Sequence, residues 1–292
     1  MPAIFASIPS PSSGDIDLGP LSIHAYGLML LLGILAATWL GGVRAVREGA
    51  CDWDFIFRLG MWGVAGGIVG ARAYHVATSW SEVPDEWWGV FAVWKGGLGV
   101  WGGIAGGVLT GVFIVKRSGR SVFAFMDYVA PGILLAQGIG RWGNYFNQEL
   151  FGKPTDLPWG LEIGPENRPD QYLAAETFHP TFLYEFLWDL TGVAILLWIG
   201  ARYRLRPPGL FALYVAWYTF GRFFEELLRV DPAHVFFGLR LNAYVSIVLF
   251  ALAVSAFVWS QRRAPGEPPR QTKRAQTGPR MAVPKGRVRQ GR

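Results

Sequence analysis

The chain has 292 residues, 51% of them hydrophobic and only 16% charged, with a mean hydropathy of +0.26. A soluble domain carries about 25% charged residues, so a disordered chain, a disulfide scaffold and an ordinary cytosolic enzyme are excluded, and the single cysteine, Cys51, can close no internal disulfide. The formal charge of +6 is uneven: residues 262–292 hold ten Lys or Arg against one acid, Glu267, while residues 1–261 hold 17 basic and 20 acidic residues.

Fourteen Trp, 20 Phe and 38 Gly strengthen the reading of an all-α polytopic membrane protein, because interfacial aromatics and close-packing glycines are both frequent in bilayer proteins. A span of about 20 apolar residues covers the hydrocarbon core. Seven stretches satisfy this in chain order: 20–43, 56–79, 98–115, 122–140, 181–201, 209–228 and 241–261. The fourth is the least apolar, since it contains Asp127, Pro131 and Gln137. Residues 1–19 lack a basic leader and are expected as a short external segment ahead of a retained first span.

Positive charge sets the orientation. Arg44, Arg47 and Arg58, then Lys116, Arg117 and Arg120, then Arg202, Arg204 and Arg206 fall in alternate connections, on the same side as the basic tail. Lys95, Lys153, Arg168, Arg229 and Arg240 fall on the other. This division requires an odd number of spans, with the N-terminus outside and the tail inside. Residues 20–261 then form a seven-span domain, with a small external head expected at about 141–180. Residues 262–292 are expected as a disordered cytoplasmic tail beside anionic headgroups rather than a nucleic-acid binder.

Gly99, Gly103, Gly107 and Gly111 repeat every fourth residue of the third span, and Gly63/Gly67 and Gly66/Gly70 do so in the second. Such a stripe lets two helix backbones, or a lipid chain, approach closely. Two G-x-G-x-x-G matches, at 97–102 and 138–143, lie outside any strand–helix–strand context and are not cofactor loops. There is no G-x-S-x-G elbow, no H-E-x-x-H and no visible metal-ligand set, and no cofactor is expected.

An ionisable residue within a span costs about 2.5–3.5 kcal/mol on insertion scales, so it faces a partner or a cavity. Tyr218, Arg222 and Glu226 follow one another at four-residue spacing and share one face of the sixth span. An Arg222–Glu226 pair alone would let the helix insert, but it leaves Tyr218 unexplained. Arg141 and Asn144 stand where the fourth span reaches the outer face and share a side if that turn is helical. A guanidinium with amide donors beside it suits a phosphate, although an interfacial Arg also snorkels to headgroups. His24 and Tyr26 open the first span, and His179, Tyr184 and Glu185 open the fifth, all on the outer side.

At these residues the sequence resembles the bacterial prolipoprotein diacylglyceryl transferases. The resemblance rests on His24-Ala25-Tyr26-Gly27, Gly96-Gly97-Leu98 running into Gly102-Gly103-Ile104, the Gly140–Gly152 block, His179-Pro180 with Leu183-Tyr184-Glu185, and Tyr218, Arg222 and Glu226. It implies a seven-span inner-membrane enzyme with its site towards the outer leaflet. Such an enzyme moves the diacylglyceryl group of phosphatidylglycerol to the lipobox cysteine thiol of a secreted prolipoprotein and releases glycerol phosphate.

By that likeness Arg141 and Asn144 hold the phosphate. Arg222, oriented by Glu226 and Tyr218, stabilises the leaving group or the thiolate, and Tyr26 is a partner near the reacting centre. Glu149 and Gly152 shape the head, and His24, Gly102 and Gly103 complete the substrate site. The chain departs from the pattern at Trp101, where relatives carry His. Indole accepts no proton, so a base at that position is excluded, and Tyr26, His24, His179 or the cationic field alone must serve. A transporter or flippase of an anionic lipid or solute, and a non-catalytic lipid-presenting factor, are the competing readings.

Overall fold

The computed structural model describes residues 7–18 and 21–263; the expected tail from 264 onward lies outside them. Seven long helices dominate: α1 Ala25–Arg47, α2 Trp53–Thr78, α3 Val100–Arg117, α4 Val122–Phe146, α5 Thr181–Arg202, α6 Gly209–Leu228 and α7 Leu241–Arg262. Of these, α1, α3, α4, α5 and α7 are long and apolar enough to cross a membrane. The other two are more polar. Helix α2 carries Arg58, Arg72 and five glycines, and α6 carries Arg222, Glu225 and Glu226 in its last two turns.

Local chemistry sets the helix ends. Asp52 accepts from the Phe55 amide at 2.9 Å to start α2, and Ser121 accepts from the Ala124 amide at 3.3 Å to start α4. Basic residues occupy the last turns of α1, α3 and α5, where the helix dipole favours them. Helix α4 runs to Phe146, six residues past the expected apolar stretch, so Arg141 and Asn144 belong to a helix and not to the head.

The helices pack as α1 on α4, α2 on α3, and α4, α5 and α6 around one another. Glycines allow the closest approaches. A Cβ at Gly102 would lie 2.2 Å from the Gly70 carbonyl oxygen, and one at Gly70 only 2.3 Å from that of Gly102. Gly102→Val is therefore expected to push α2 and α3 apart and to cost about 1–3 kcal/mol, read as earlier thermal unfolding in detergent. Gly63, with nothing within 4 Å of a Cβ, should accept Ala without that loss.

Helices α5 and α6 are joined by a reciprocal contact. Trp188 Nε1 donates to the Trp217 carbonyl and Trp217 Nε1 to the Trp188 carbonyl, both at 3.1 Å, and the rings stack with centroids 4.2 Å apart. Gly192 and Gly221 make room, since a Cβ at either would lie 2.3 Å from the facing indole nitrogen. The interior of this three-helix group is formed by Ala130, Leu134, Val193, Leu196, Leu210 and Tyr214.

Short strand pairs decorate the bundle. β1 Asp15–Leu18 and β2 Leu21–His24 form an antiparallel hairpin directly before α1, so the first helix begins at Ala25 rather than at residue 20. Between α4 and α5, β3 Leu161–Glu162 pairs with β4 Thr177–Phe178 over a small core of Phe151, Leu161, Ile163, Phe178 and Phe182. A last pair, β5 Val235–Phe236 and β6 Leu239–Arg240, leads into α7. Backbone bridges tie Ile8 to Leu161 and Gly152 to Arg229, fastening the head to the N-terminal segment and to the end of α6.

Candidate active site

Three helices each contribute polar side chains one turn apart to a common seam: Gln137 and Arg141 on α4, Glu185 and Asp189 on α5, and Tyr214, Tyr218, Arg222 and Glu226 on α6. Four-residue spacing keeps each set on one helix face. Packing of α4, α5 and α6 turns those faces towards one another.

Glu185 lies at the centre. Its side chain is 4% exposed, and its carboxylate pairs with Arg141 Nε on one side and with Arg222 Nη1, at 3.4 Å, on the other. Arg141 Nη2 donates to the Tyr218 hydroxyl at 3.2 Å. Tyr218, expected to orient Arg222, accepts its hydrogen bond from Arg141. Arg222 is instead held by Glu225 at 3.2 Å and by Glu226 one turn ahead. Among the described residues, Arg141 Nη1 and Arg222 Nε make no hydrogen bond, so each guanidinium keeps an uncommitted donor.

Glu226, fully buried, is the hub of the lower half. It receives Arg222, Arg229 at 3.6 Å, Arg240 at 2.7 Å and the Asn242 amide at 3.3 Å. Asp231 then joins Arg229 and Arg240, each at 2.7 Å. Burial alone would raise the Asp231 carboxyl, but the hydrogen bonds and charges of Arg229 and then Arg240 hold it below the usual carboxylate range. Its contribution to stability is therefore present above about pH 4 and is lost as pH falls through the depressed folded value. Acid unfolding of Asp231→Asn should accordingly begin from a lower plateau and show a shallower loss below about pH 4.

The other expected site residues are distributed around this cluster. Tyr26 packs on the last turns of α4, where a Cβ at Gly143 would lie 2.5 Å from its ring. Buried Asn144, three residues past Arg141, donates to Glu149 Oε1 at 2.9 Å and so links α4 to the head. Gly152 donates its amide to the His179 carbonyl at 2.9 Å and lies too close to His179 for a side chain.

His24 stands apart, exposed and paired with Asp15 across the hairpin. Gly102 and Gly103 face α2, not the seam. Trp101, at the departure from the family pattern, is 71% exposed on α3. His179 contacts the Tyr184 hydroxyl at 3.2 Å, and burial, then Lys153, lowers its affinity for a proton. Cys51, in the α1–α2 connection, has its thiol pushed up by burial against the opposing charge of Arg120, so it holds little thiolate.

Sequence reasoning passed over the central role of Glu185, and it missed Asp189, Glu225, Arg229 and Arg240. The available signal was Glu185 and Asp189 one turn apart inside an apolar span, since an intramembrane acid implies a partner. Asp189 is 2% exposed, and its Oδ2 has no hydrogen-bond partner among the described residues.

The fold and the seam together define a multi-pass membrane protein with an internal arginine–carboxylate cluster at one end of the bundle. The chain belongs to the prolipoprotein diacylglyceryl transferase family, whose model matches residues 15–259. It is 48% identical over 268 residues to phosphatidylglycerol–prolipoprotein diacylglyceryl transferase 2 of Streptomyces coelicolor, covering 89% of this chain and 83% of that one. It is also 48% identical over 260 residues to the phosphatidylglycerol–prolipoprotein diacylglyceryl transferase of Cutibacterium acnes, covering 88% of each.

Proposed function

We propose that the protein transfers the diacylglyceryl group of phosphatidylglycerol to the thiol of a lipobox cysteine in a secreted prolipoprotein, releasing glycerol phosphate. The observation that carries this reading is the pair Arg141 and Arg222, drawn together by Glu185 in a buried seam and each keeping a free donor. It is supported by the family membership and by the names of relatives that are nearly half identical.

In this reaction a sulfur–carbon bond forms while the carbon–oxygen bond to phosphate breaks. The bonding pair goes to the phosphate oxygen, and the thiol gives its proton to water as the thiolate forms. Arg141, steadied by Tyr218, holds the lipid phosphate. Arg222, steadied by Glu225 and Glu226, faces the charge that grows on the leaving oxygen. Such fixed donors in a water-poor site stabilise developing charge without reorganising. Asn144, Glu149 and Gly152 keep the head seated over the end of α4, and Tyr26 closes the side towards α1.

The charge asymmetry of the connections supports seven spans, with the N-terminus and head outside and the tail cytoplasmic. That orientation turns the arginine pair towards the outer leaflet of a bacterial inner membrane, where a secreted precursor presents its cysteine.

The test is a reconstituted assay with purified protein, phosphatidylglycerol and a lipobox peptide. A diacylglyceryl mass gain on the peptide, matched by released glycerol phosphate and lost on peptide Cys→Ser, is the expected result. Lipid flux across liposomes without covalent product would favour a flippase instead. Because Trp101 is 71% exposed and makes no hydrogen bond or ring contact with the seam among the described residues, Trp101→Ala should change the transfer rate by no more than about twofold.

A further inference from the structure

We infer that the ends of α1, α4, α5 and α6 remote from the arginine pair form a second binding site, which takes the phosphate of an anionic lipid from the opposite leaflet. The inference rests on the chain crossing a bilayer and is independent of the transfer reaction.

A cavity of about 490 Å³ opens there between Arg44 in the last turn of α1 and Glu48 just past it, Asp127 and Tyr128 in the first turns of α4, and Arg202, the last residue of α5, with Arg204 just beyond it. Asp127 and Arg141 are separated by 14 residues of one helix, or about 21 Å. The cavity is therefore distinct from the candidate active site.

Three arginines outnumber the two carboxylates around it. Both carboxylates already accept hydrogen bonds: Asp127 Oδ1 from the Phe211 amide at 2.8 Å, and Glu48 from the Tyr128 hydroxyl at 3.1 Å. The arginines are less committed. Arg44 spends Nη1 on the carbonyls of Asp127 and Tyr128, while its Nε and Nη2 make no hydrogen bond among the described residues. Gly200 leaves that group space, since a Cβ there would lie 3.2 Å from Arg44 Nη2. The Arg202 guanidinium lies 5.9 Å from the centre of the Tyr203 ring, and it makes no hydrogen bond or ion pair among the described residues. Arg204 has neither a hydrogen bond nor an ion pair among the described residues. Three guanidinium groups around one space suit a phosphate, which accepts paired donors.

The mouth also points to a lipid rather than a soluble anion. Trp198 and Tyr203 stand beside it, 60% and 51% exposed, and such aromatics sit at headgroup depth. Basic pockets between helix ends on the cytoplasmic side are suited to phosphate-bearing headgroups, and the proposed topology puts this end there.

The full chain in neutral detergent can be titrated with dioctanoyl phosphatidic acid, with bound lipid counted by native mass spectrometry. Arg202→Ala/Arg204→Ala is expected to weaken one binding event by about tenfold or more, while still transferring diacylglycerol to peptide. Arg141→Gln should retain that same event. Unchanged lipid affinity in the double variant would overturn the proposal. So would displacement of the lipid by an equal concentration of inorganic phosphate, which would make the occupant a soluble anion.

Discussion

Replacement of Arg222 by Ala is expected to reduce diacylglyceryl transfer by about a hundredfold to a thousandfold, the usual cost of removing one fixed donor to developing charge. Part of any loss would come from another source. Arg222 contacts Glu185, Glu225 and Glu226, so the Ala variant leaves three carboxylates short of a partner in a buried seam. Lys separates the two effects. It keeps the charge, and with it most of the fold, but lacks the planar fork that reaches several acceptors at once. Arg222→Lys should therefore unfold close to the wild-type temperature while transferring far more slowly. Near-normal turnover in a folded Arg222→Lys or Arg222→Ala protein would remove Arg222 from the proposed mechanism.

The second large effect is expected in stability, at Glu226. Substitution by Gln preserves shape but removes the one carboxylate that faces Arg222, Arg229 and Arg240 together. Breaking a buried ion pair on one side costs about 3–5 kcal/mol, because the partner stays buried and uncompensated. Here three cations would be affected, although Asp231 still holds Arg229 and Arg240. Thermal unfolding in detergent should show a large downward shift for Glu226→Gln and a much smaller one for Asp231→Asn. Equal shifts would mean that Glu226 carries no more of the network than Asp231 does.

Much of this architecture was legible in the sequence because a bilayer imposes one dominant pattern. Seven apolar stretches become seven long helices, and Tyr218, Arg222 and Glu226 share a face as their spacing requires. Contacts between helices were less legible, for a physical reason. Periodicity says which residues share a face but not which face another helix presents to it. Glu185 therefore read as part of a motif, whereas packing makes it the link between Arg141 and Arg222. Tyr218, likewise, is on the expected face but turns to the arginine of a different helix. The hairpin before α1 and the two-residue strands of the head were invisible, because they are too short to carry an alternating pattern. Gly102 and Gly103 were legible as close-packing positions, yet nothing in their spacing told that they face α2 rather than the seam.

The paired indoles of Trp188 and Trp217 act as a ruler. Each ring reads the other helix's backbone, so both hydrogen bonds exist in one alignment of α5 and α6 only. Sliding either helix by a single turn would move it about 5.4 Å, breaking both bonds and driving a side chain into the space that Gly192 and Gly221 keep clear. Glu185 sits three residues before one end of this ruler and Arg222 five residues beyond the other. The calibration of the charged centre is thus set by a neutral aromatic gauge that hydrogen-bonds to none of its charges among the described residues.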